Sequence, residues 1–135
     1  MKLKDIMTTN VQTISPDSTL QAAAIQMSLH NVGMLPVTNV AGVLGTITDR
    51  DLALRAVAEG RDLLTTKVKD VMTAPPPYVV EDATIEQACK VMRKNKVRRL
   101  IVLTQSMNLV GIVSVTDMAI KGVDRRLSTP VMRAA

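Results

Sequence analysis

"GTITDRDLA" at residues 45–53 and "GIVSVTDMA" at residues 111–119 share one outline. Each begins with glycine, alternates β-type residues, and reaches a hydroxyl residue followed three positions later by aspartate. Thr48-x-x-Asp51 and Ser114-x-x-Asp117 read as capping boxes: the hydroxyl accepts from a backbone N–H at the start of a helix and the acid reaches back. A strand that runs into a capped helix, written twice, points to an α/β chain built from an internal repeat.

The repeat extends outward from these stretches. "LKDIMTTN" (3–10) returns as "VKDVMTAP" (68–75), and "TLQAAAIQM" (19–27) returns as "TIEQACKVM" (84–92), both displaced by 65 positions, as from Asp5 to Asp70. Between Gly45 and Gly111 the displacement is 66, so one residue is inserted in the loop before them, where insertions cost little. Leu20, Ala23, Ala24 and Met27, and in the second copy Ile85, Ala88, Cys89 and Met92, make one apolar helical stripe per copy. Ser18 with Gln21 supplies a capping box for the first of these helices; Ala83 cannot do so for the second, which leaves Asp82 or Thr84.

Two short β-branched runs follow each helix, "MLPVT" and "VLGTIT", then "LIVL" and "LVGIVSV", separated by turn-prone residues. A further helix closes each copy, ending at Gly60 and Gly122, where a left-handed C-cap is expected. "APPPYVV" (74–80) is an extended lead-in, since proline excludes helix there. The expected unit is β-α-β-β-α, with a first repeat over residues 1–62, a second over 63–124 and a tail over 125–135. A small sheet with helices on one face exposes apolar surface, so the two repeats are expected to pack face to face with pseudo-twofold symmetry and clefts between them.

Composition narrows the function. At 47% apolar and 21% charged, the 135 residues belong with globular chains, and no run approaches the ~18 apolar residues of a membrane span. The start lacks a signal peptide's apolar core, so a cytoplasmic protein is expected. One cysteine, Cys89, and one histidine, His30, leave no disulfide and no zinc-type ligand set; Cys89 reads as a buried thiol and His30 as a solvated or C-capping residue. No nucleophile–base pair or phosphate-transfer loop is found, so an enzyme is not expected and no cofactor is required. The net charge of +5 is uneven: six of the 17 Lys and Arg fall in "KVMRKNKVRR" (90–99) with no acid among them. Tyr78 is the only aromatic, so the chain lacks a base-stacking platform.

The ordered, doubled set resembles the paired CBS domain family, named for cystathionine β-synthase. "KDIMT" and "KDVMT" are similar to its opening motif, "VRRLIVL" to its "VRRLPVVD", and the two stretches quoted first to its helix-preceding signature. The resemblance implies binding of an adenosine compound (AMP, ADP, ATP or S-adenosylmethionine) as a regulatory ligand in inter-repeat clefts. It also implies a homodimer forming a disc of four repeats, and signalling to a regulated protein partner. In that pattern the aspartate accepts from the ribose hydroxyls and the nearby hydroxyl residue helps hold phosphate. An ionised carboxylate suits a vicinal diol, and free N–H groups at a helix start suit a phosphate.

Carried over position by position, the resemblance implies two unequal clefts. The preferred one has Ser114, Thr116 and Asp117, with Arg99 matching the family's phosphate-binding arginine, Arg98 beside it and Ile112 on the strand. Thr8, Val11 and Gln12 complete it from the other copy's lead-in. In the second cleft Thr46, Thr48 and Asp51 repeat the signature, and Thr73, Pro76 and Pro77 come from the lead-in. Gly33 and Met34 stand there in place of the two arginines, and Arg50 either reaches a phosphate or lies on the helix surface. Ile101, where the family has proline, and "PPPYVV" depart from the pattern and bear on the shape of the clefts. Two other readings stand beside ligand sensing: an oligomerisation or docking module with vestigial clefts, and a nucleic-acid binder acting through residues 90–99.

Overall fold

The computed structural model describes residues 2–120, apart from the Ile120 side chain, and the chain divides into two compact units. Gln12–Pro76 forms a contiguous unit, and residues up to Val11 together with those from Pro77 onward form a split one. The C-cap expected at Gly122 and the tail over 125–135 lie outside the described residues.

In the contiguous unit the first strand is reduced to one parallel bridge, Ile14 to Val37. Helix α1 (Leu20–His30) follows, then the antiparallel pair β1 (Met34–Asn39) and β2 (Gly42–Thr48). Helix α2 is α-helical over Asp49–Asp51 and widens to π-type bonding over Leu52–Val57. There Ala58 donates to the Ala53 carbonyl at 2.9 Å and Arg61 to that of Ala56 at 3.0 Å. Gly60 has φ of +70°, as a left-handed cap requires.

The split unit repeats this plan with β3 (Tyr78–Val80), α3 (Ile85–Asn95), β4 (Arg99–Leu103), β5 (Leu109–Ser114) and α4 (Val115–Ile120). Its sheet runs β3-β4-β5, parallel then antiparallel. The β-α-β-β-α order expected from the repeat is therefore complete in the split unit, and the contiguous unit follows it with the single Ile14–Val37 bridge in place of its first strand. The strand pairs are bulged at equivalent places, between Val37 and Thr38 and between Val102 and Leu103. The inserted residue lies in the hairpin: a tight turn joins Asn39 to Gly42, whereas Thr104–Asn108 make a longer loop closed by Thr104 N–H to the Asn108 carbonyl at 2.8 Å.

Each lead-in is spent on the sheet of the opposite repeat. Leu3 and Ile6 are buried with Cys89, Met92, Leu100 and Met118, while Val68 and Val71 are buried with Leu20, Met27, Leu35 and Ile47. At about 1.5–3 kcal/mol per fully buried aliphatic side chain, these contacts outweigh any single cap or surface ion pair.

Two expectations are corrected. Thr19, not Ser18, caps α1, its Oγ1 accepting from Ala22 N–H at 3.1 Å. Ser18 is held in the preceding turn by its N–H to the Ser15 carbonyl at 3.2 Å, and its own carbonyl accepts from Val68 N–H at 2.8 Å. Thr84 caps α3 in the same way, with Gln87 Oε1 accepting from Thr84 N–H at 2.9 Å to complete the box. The second correction is Ala24, which is exposed: the face of α1 in the core narrows to Leu20, Ala23 and Met27. In α3 the whole expected stripe is buried.

Candidate functional site

Both signatures fold as strand-to-helix capping boxes. In the split unit Asp117 N–H donates to Ser114 Oγ, and Asp117 Oδ2 accepts from Ser114 N–H, each at 3.0 Å. In the contiguous unit Asp51 N–H donates to Thr48 Oγ1, and Asp51 Oδ2 accepts from Thr48 N–H, again at 3.0 Å. The aspartates are held half-buried at the strand ends with one carboxylate oxygen committed to the box.

The ladder brings each lead-in to its signature strand. Thr8 and Ile112 exchange two backbone bonds, 2.8 and 3.0 Å, and Thr73 and Thr46 do the same at 2.9 and 3.0 Å. This close approach explains Gly45 and Gly111: a Cβ on Gly45 would lie 2.5 Å from the Thr73 carbonyl oxygen, and one on Gly111 2.5 Å from Met7 Sδ. Thr46 is a buried polar residue in that ladder.

The hairpin register sets what faces each signature. Arg99 pairs with Ser114 across β4 and β5, and Met34 pairs with Thr48 across β1 and β2. The structural register thus reproduces the alignment that puts Met34 in place of Arg99. Arg99 is half-buried, whereas Met34 is buried. Arg98 is exposed, and its carbonyl accepts from Val115 N–H at 3.0 Å. Arg98, Arg99, Ser114, Val115 and Thr116 line an open pocket of about 110 Å³. That is below the ~300–1,000 Å³ of whole-ligand sites and suited to a fragment such as a phosphate.

Of the remaining expected residues, Thr8 is exposed and Val11 half-buried in the split unit; Gln12 falls in the contiguous one. Thr73 and Pro76 are half-buried in the contiguous unit, with Gly33 at the start of its hairpin, while Pro77 falls in the split unit. Arg50 is exposed, its N–H donating to Asp49 Oδ1 at 2.8 Å.

Two contacts went unforeseen. Thr73 Oγ1 donates to Asp51 Oδ1 at 3.4 Å, and Arg55 Nη1 donates to the carbonyls of Val71 and Met72 at 2.9 and 3.1 Å, holding the lead-in just before Thr73. Arg55 sits four residues after Asp51, on the same helical face, which was the signal available in the sequence. Cys89 is fully buried against Met118 Sδ at 3.7 Å; burial pushes its thiol pKa above the ordinary value, against a smaller lowering by Arg93. His30 is exposed in the last turn of α1. Among the described residues no cluster of three or more His, Cys, Asp or Glu is arranged to hold a metal, and no helix is long and apolar enough to cross a membrane.

A doubled β-α-β-β-α unit, with a hydroxyl–aspartate box where strand meets helix in each copy, defines a tandem α/β domain pair. The chain belongs to the CBS-domain family, whose model matches residues 3–57 and again 68–122. It is 43% identical over 118 residues to the CBS domain-containing protein YhcV of Bacillus subtilis (strain 168), covering 87% of this chain and 83% of that protein. A crystal structure of Hypoxic Response Protein I with two coordinated zinc ions superposes with a TM-score of 0.80 at 32% identity, over 92% of this chain and 100% of the other. The hexameric CBS-CP12 protein from bloom-forming cyanobacteria gives 0.83 at 28% identity, over 90% and 72%.

Proposed function

We propose that this CBS-domain pair is a regulatory sensor, not a catalyst. In this reading it binds an adenosine-containing ligand such as AMP, ADP, ATP or S-adenosylmethionine and passes its occupancy to a partner. The observation that carries the reading is the register pair Arg99–Ser114 beside the boxed Asp117. Arg99 and Ser114 line one small open pocket, and the Asp117 carboxylate is bonded to the backbone N–H of Ser114 at its edge. The guanidinium and hydroxyl suit a phosphate, and a carboxylate suits a ribose diol. The Asp117 site ranks first, because the equivalent of Arg99 at the other site is the uncharged Met34.

Isothermal titration calorimetry with AMP, ADP, ATP and S-adenosylmethionine, on wild type and on Asp117→Ala and Asp51→Ala, tests this. Saturable heat from at least one ligand that weakens in Asp117→Ala is expected. No binding by any of the four, or binding indifferent to both substitutions, would sink the reading.

A second observation supports self-association. Ile25 and Leu29 on α1, and Leu54 and Val57 on α2, are large apolar side chains left exposed, and in the split unit the positions of Ile25 and Leu29 are held by Lys90 and Lys94. The proposed occupant of this apolar face is a second copy, giving a homodimer through the contiguous unit. The lysines at the equivalent face of α3 disfavour the same contact there. Light scattering should give a dimer that dissociates in Leu29→Lys; a wild-type monomer at tens of micromolar would contradict it.

A further inference from the structure

The two capping boxes share one geometry, yet their carboxylates differ in what remains open. Asp117 Oδ2 is bonded to Ser114 N–H, and among the described residues Oδ1 has no hydrogen bond. Asp51 Oδ2 is bonded likewise to Thr48 N–H, but its Oδ1 also accepts from Thr73 Oγ1 at 3.4 Å. The backbone ladders that deliver Thr73 and its counterpart Thr8 match to within about 0.1 Å, so the difference lies in the side chains: Thr73 is half-buried and turned to the carboxylate, and Thr8 is exposed. Arg55 adds a clamp on the carbonyls of Val71 and Met72, immediately before Thr73, and so fixes where that hydroxyl is presented.

We infer that Thr73 is a specificity-determining residue that occupies Asp51 as an internal substitute for a ligand hydroxyl, leaving the Asp51 site self-satisfied and the Asp117 site open. A diol approaching Asp51 must displace the threonine hydroxyl, whereas one approaching Asp117 Oδ1 has no hydrogen-bonded side chain to displace among the described residues. Thr73 therefore acts against ligand binding, the reverse of the contact role that the lead-in pattern implies for it. Arg55 is a positioning residue for this competition. The inference rests on the ligand-sensing reading for its consequence, but the Thr73–Asp51 pairing can be measured without any ligand.

Two experiments on the full chain decide it. A double-mutant cycle by urea unfolding with Thr73→Val and Asp51→Asn should give a non-zero coupling, whereas the cycle with Thr8→Val and Asp117→Asn should give none. Calorimetry with AMP and ATP in an Asp117→Ala background then reads the Asp51 site. There, Thr73→Val should tighten binding by roughly 3- to 10-fold, the modest value expected for freeing an acceptor from one long bond. Thr73→Ser, which keeps the hydroxyl, should not. Absence of coupling at Thr73–Asp51 overturns the inference, as does unchanged or weakened binding in Thr73→Val; weakening would mean that the hydroxyl contacts the ligand. Coupling at Thr73–Asp51 with no nucleotide bound by any variant, wild type included, refutes the ligand-sensing reading and, with it, the role of Thr73 in specificity, while the pairing itself stands.

Discussion

Replacing Gly45 by alanine places a methyl group 2.5 Å from the Thr73 carbonyl oxygen, 3.3 Å from its carbon and 3.1 Å from Met72 Sδ. Ordinary contact begins near 3.4 Å, so the lead-in must retreat by about 0.9 Å. That carbonyl accepts from Thr46 N–H at 3.0 Å, and Thr73 N–H donates to the Thr46 carbonyl at 2.9 Å; a retreat of this size breaks both. Two backbone bonds at about 0.5–1.5 kcal/mol each, with about 1–3 kcal/mol for overpacking a tight site, give a loss of about 1–5 kcal/mol after the small gain from a stiffer unfolded chain. Gly111→Ala meets a softer obstacle, because its nearest atoms are Met7 Sδ and Cγ at 2.5 and 2.9 Å, on a side chain that can rotate away, with the Thr8 carbonyl oxygen at 3.0 Å. Its cost should be about 1–2 kcal/mol. Urea unfolding of both variants, compared at unchanged m-value, provides the measurement. A loss below about 1 kcal/mol for Gly45→Ala, or one no greater than for Gly111→Ala, would refute the argument that the lead-in backbone is what glycine accommodates.

Arg99→Met, which gives the split unit the residue of the contiguous one, should weaken AMP or ATP binding by about 10- to 100-fold while leaving adenosine nearly unaffected. Equal losses for AMP and adenosine would mean that Arg99 does not hold phosphate. Thr84→Ala should lower stability by about 1 kcal/mol and Thr19→Ala by a similar amount, whereas Ser18→Ala should change the urea midpoint little; a larger effect at Ser18 would restore it as the cap. The raised pKa of Cys89 means that the fold holds its proton more tightly than the unfolded chain does. That contribution is whole below the ordinary value of 9.0 and is lost as pH rises through the folded value. Stability should therefore fall more steeply above about pH 9 in wild type than in Cys89→Ala, and equal slopes would count against it.

Much of this molecule could be read from the sequence because the chain states its plan twice. The insertion before Gly111, the stripe through Ile85, Ala88, Cys89 and Met92, and the hydroxyl–aspartate boxes all follow from period and spacing. What escaped depends on which of two adjacent groups wins a local competition. Ser18 and Thr19 are both good caps, and only the turn bond from Ser18 to Ser15 removes the first. The repeat itself held the answer, since Thr19 aligns with Thr84. Ala24 sits at the edge of an apolar stripe, where small side chains give no hint of their direction. The π-type widening over Leu52–Val57 has no sequence signal that we can name. The Thr73–Asp51 bond joins residues 22 apart and required the ladder to be known first.

The exchange of lead-ins makes chain order and spatial order disagree. Gln12–Pro76 contains every residue of its unit in one run, so that unit can assemble once Pro76 has emerged from the ribosome. The other unit cannot: Leu3 and Ile6 wait for Met92, Leu100 and Met118, which are made long after them, and closing that long loop is an entropic cost met late. Trimming the first ten residues would therefore injure the C-terminal half of the protein and spare the half next to the cut. A disturbance of the segment around Thr8 bears first on the strand that leads to Ser114 and Asp117, about a hundred positions away along the chain.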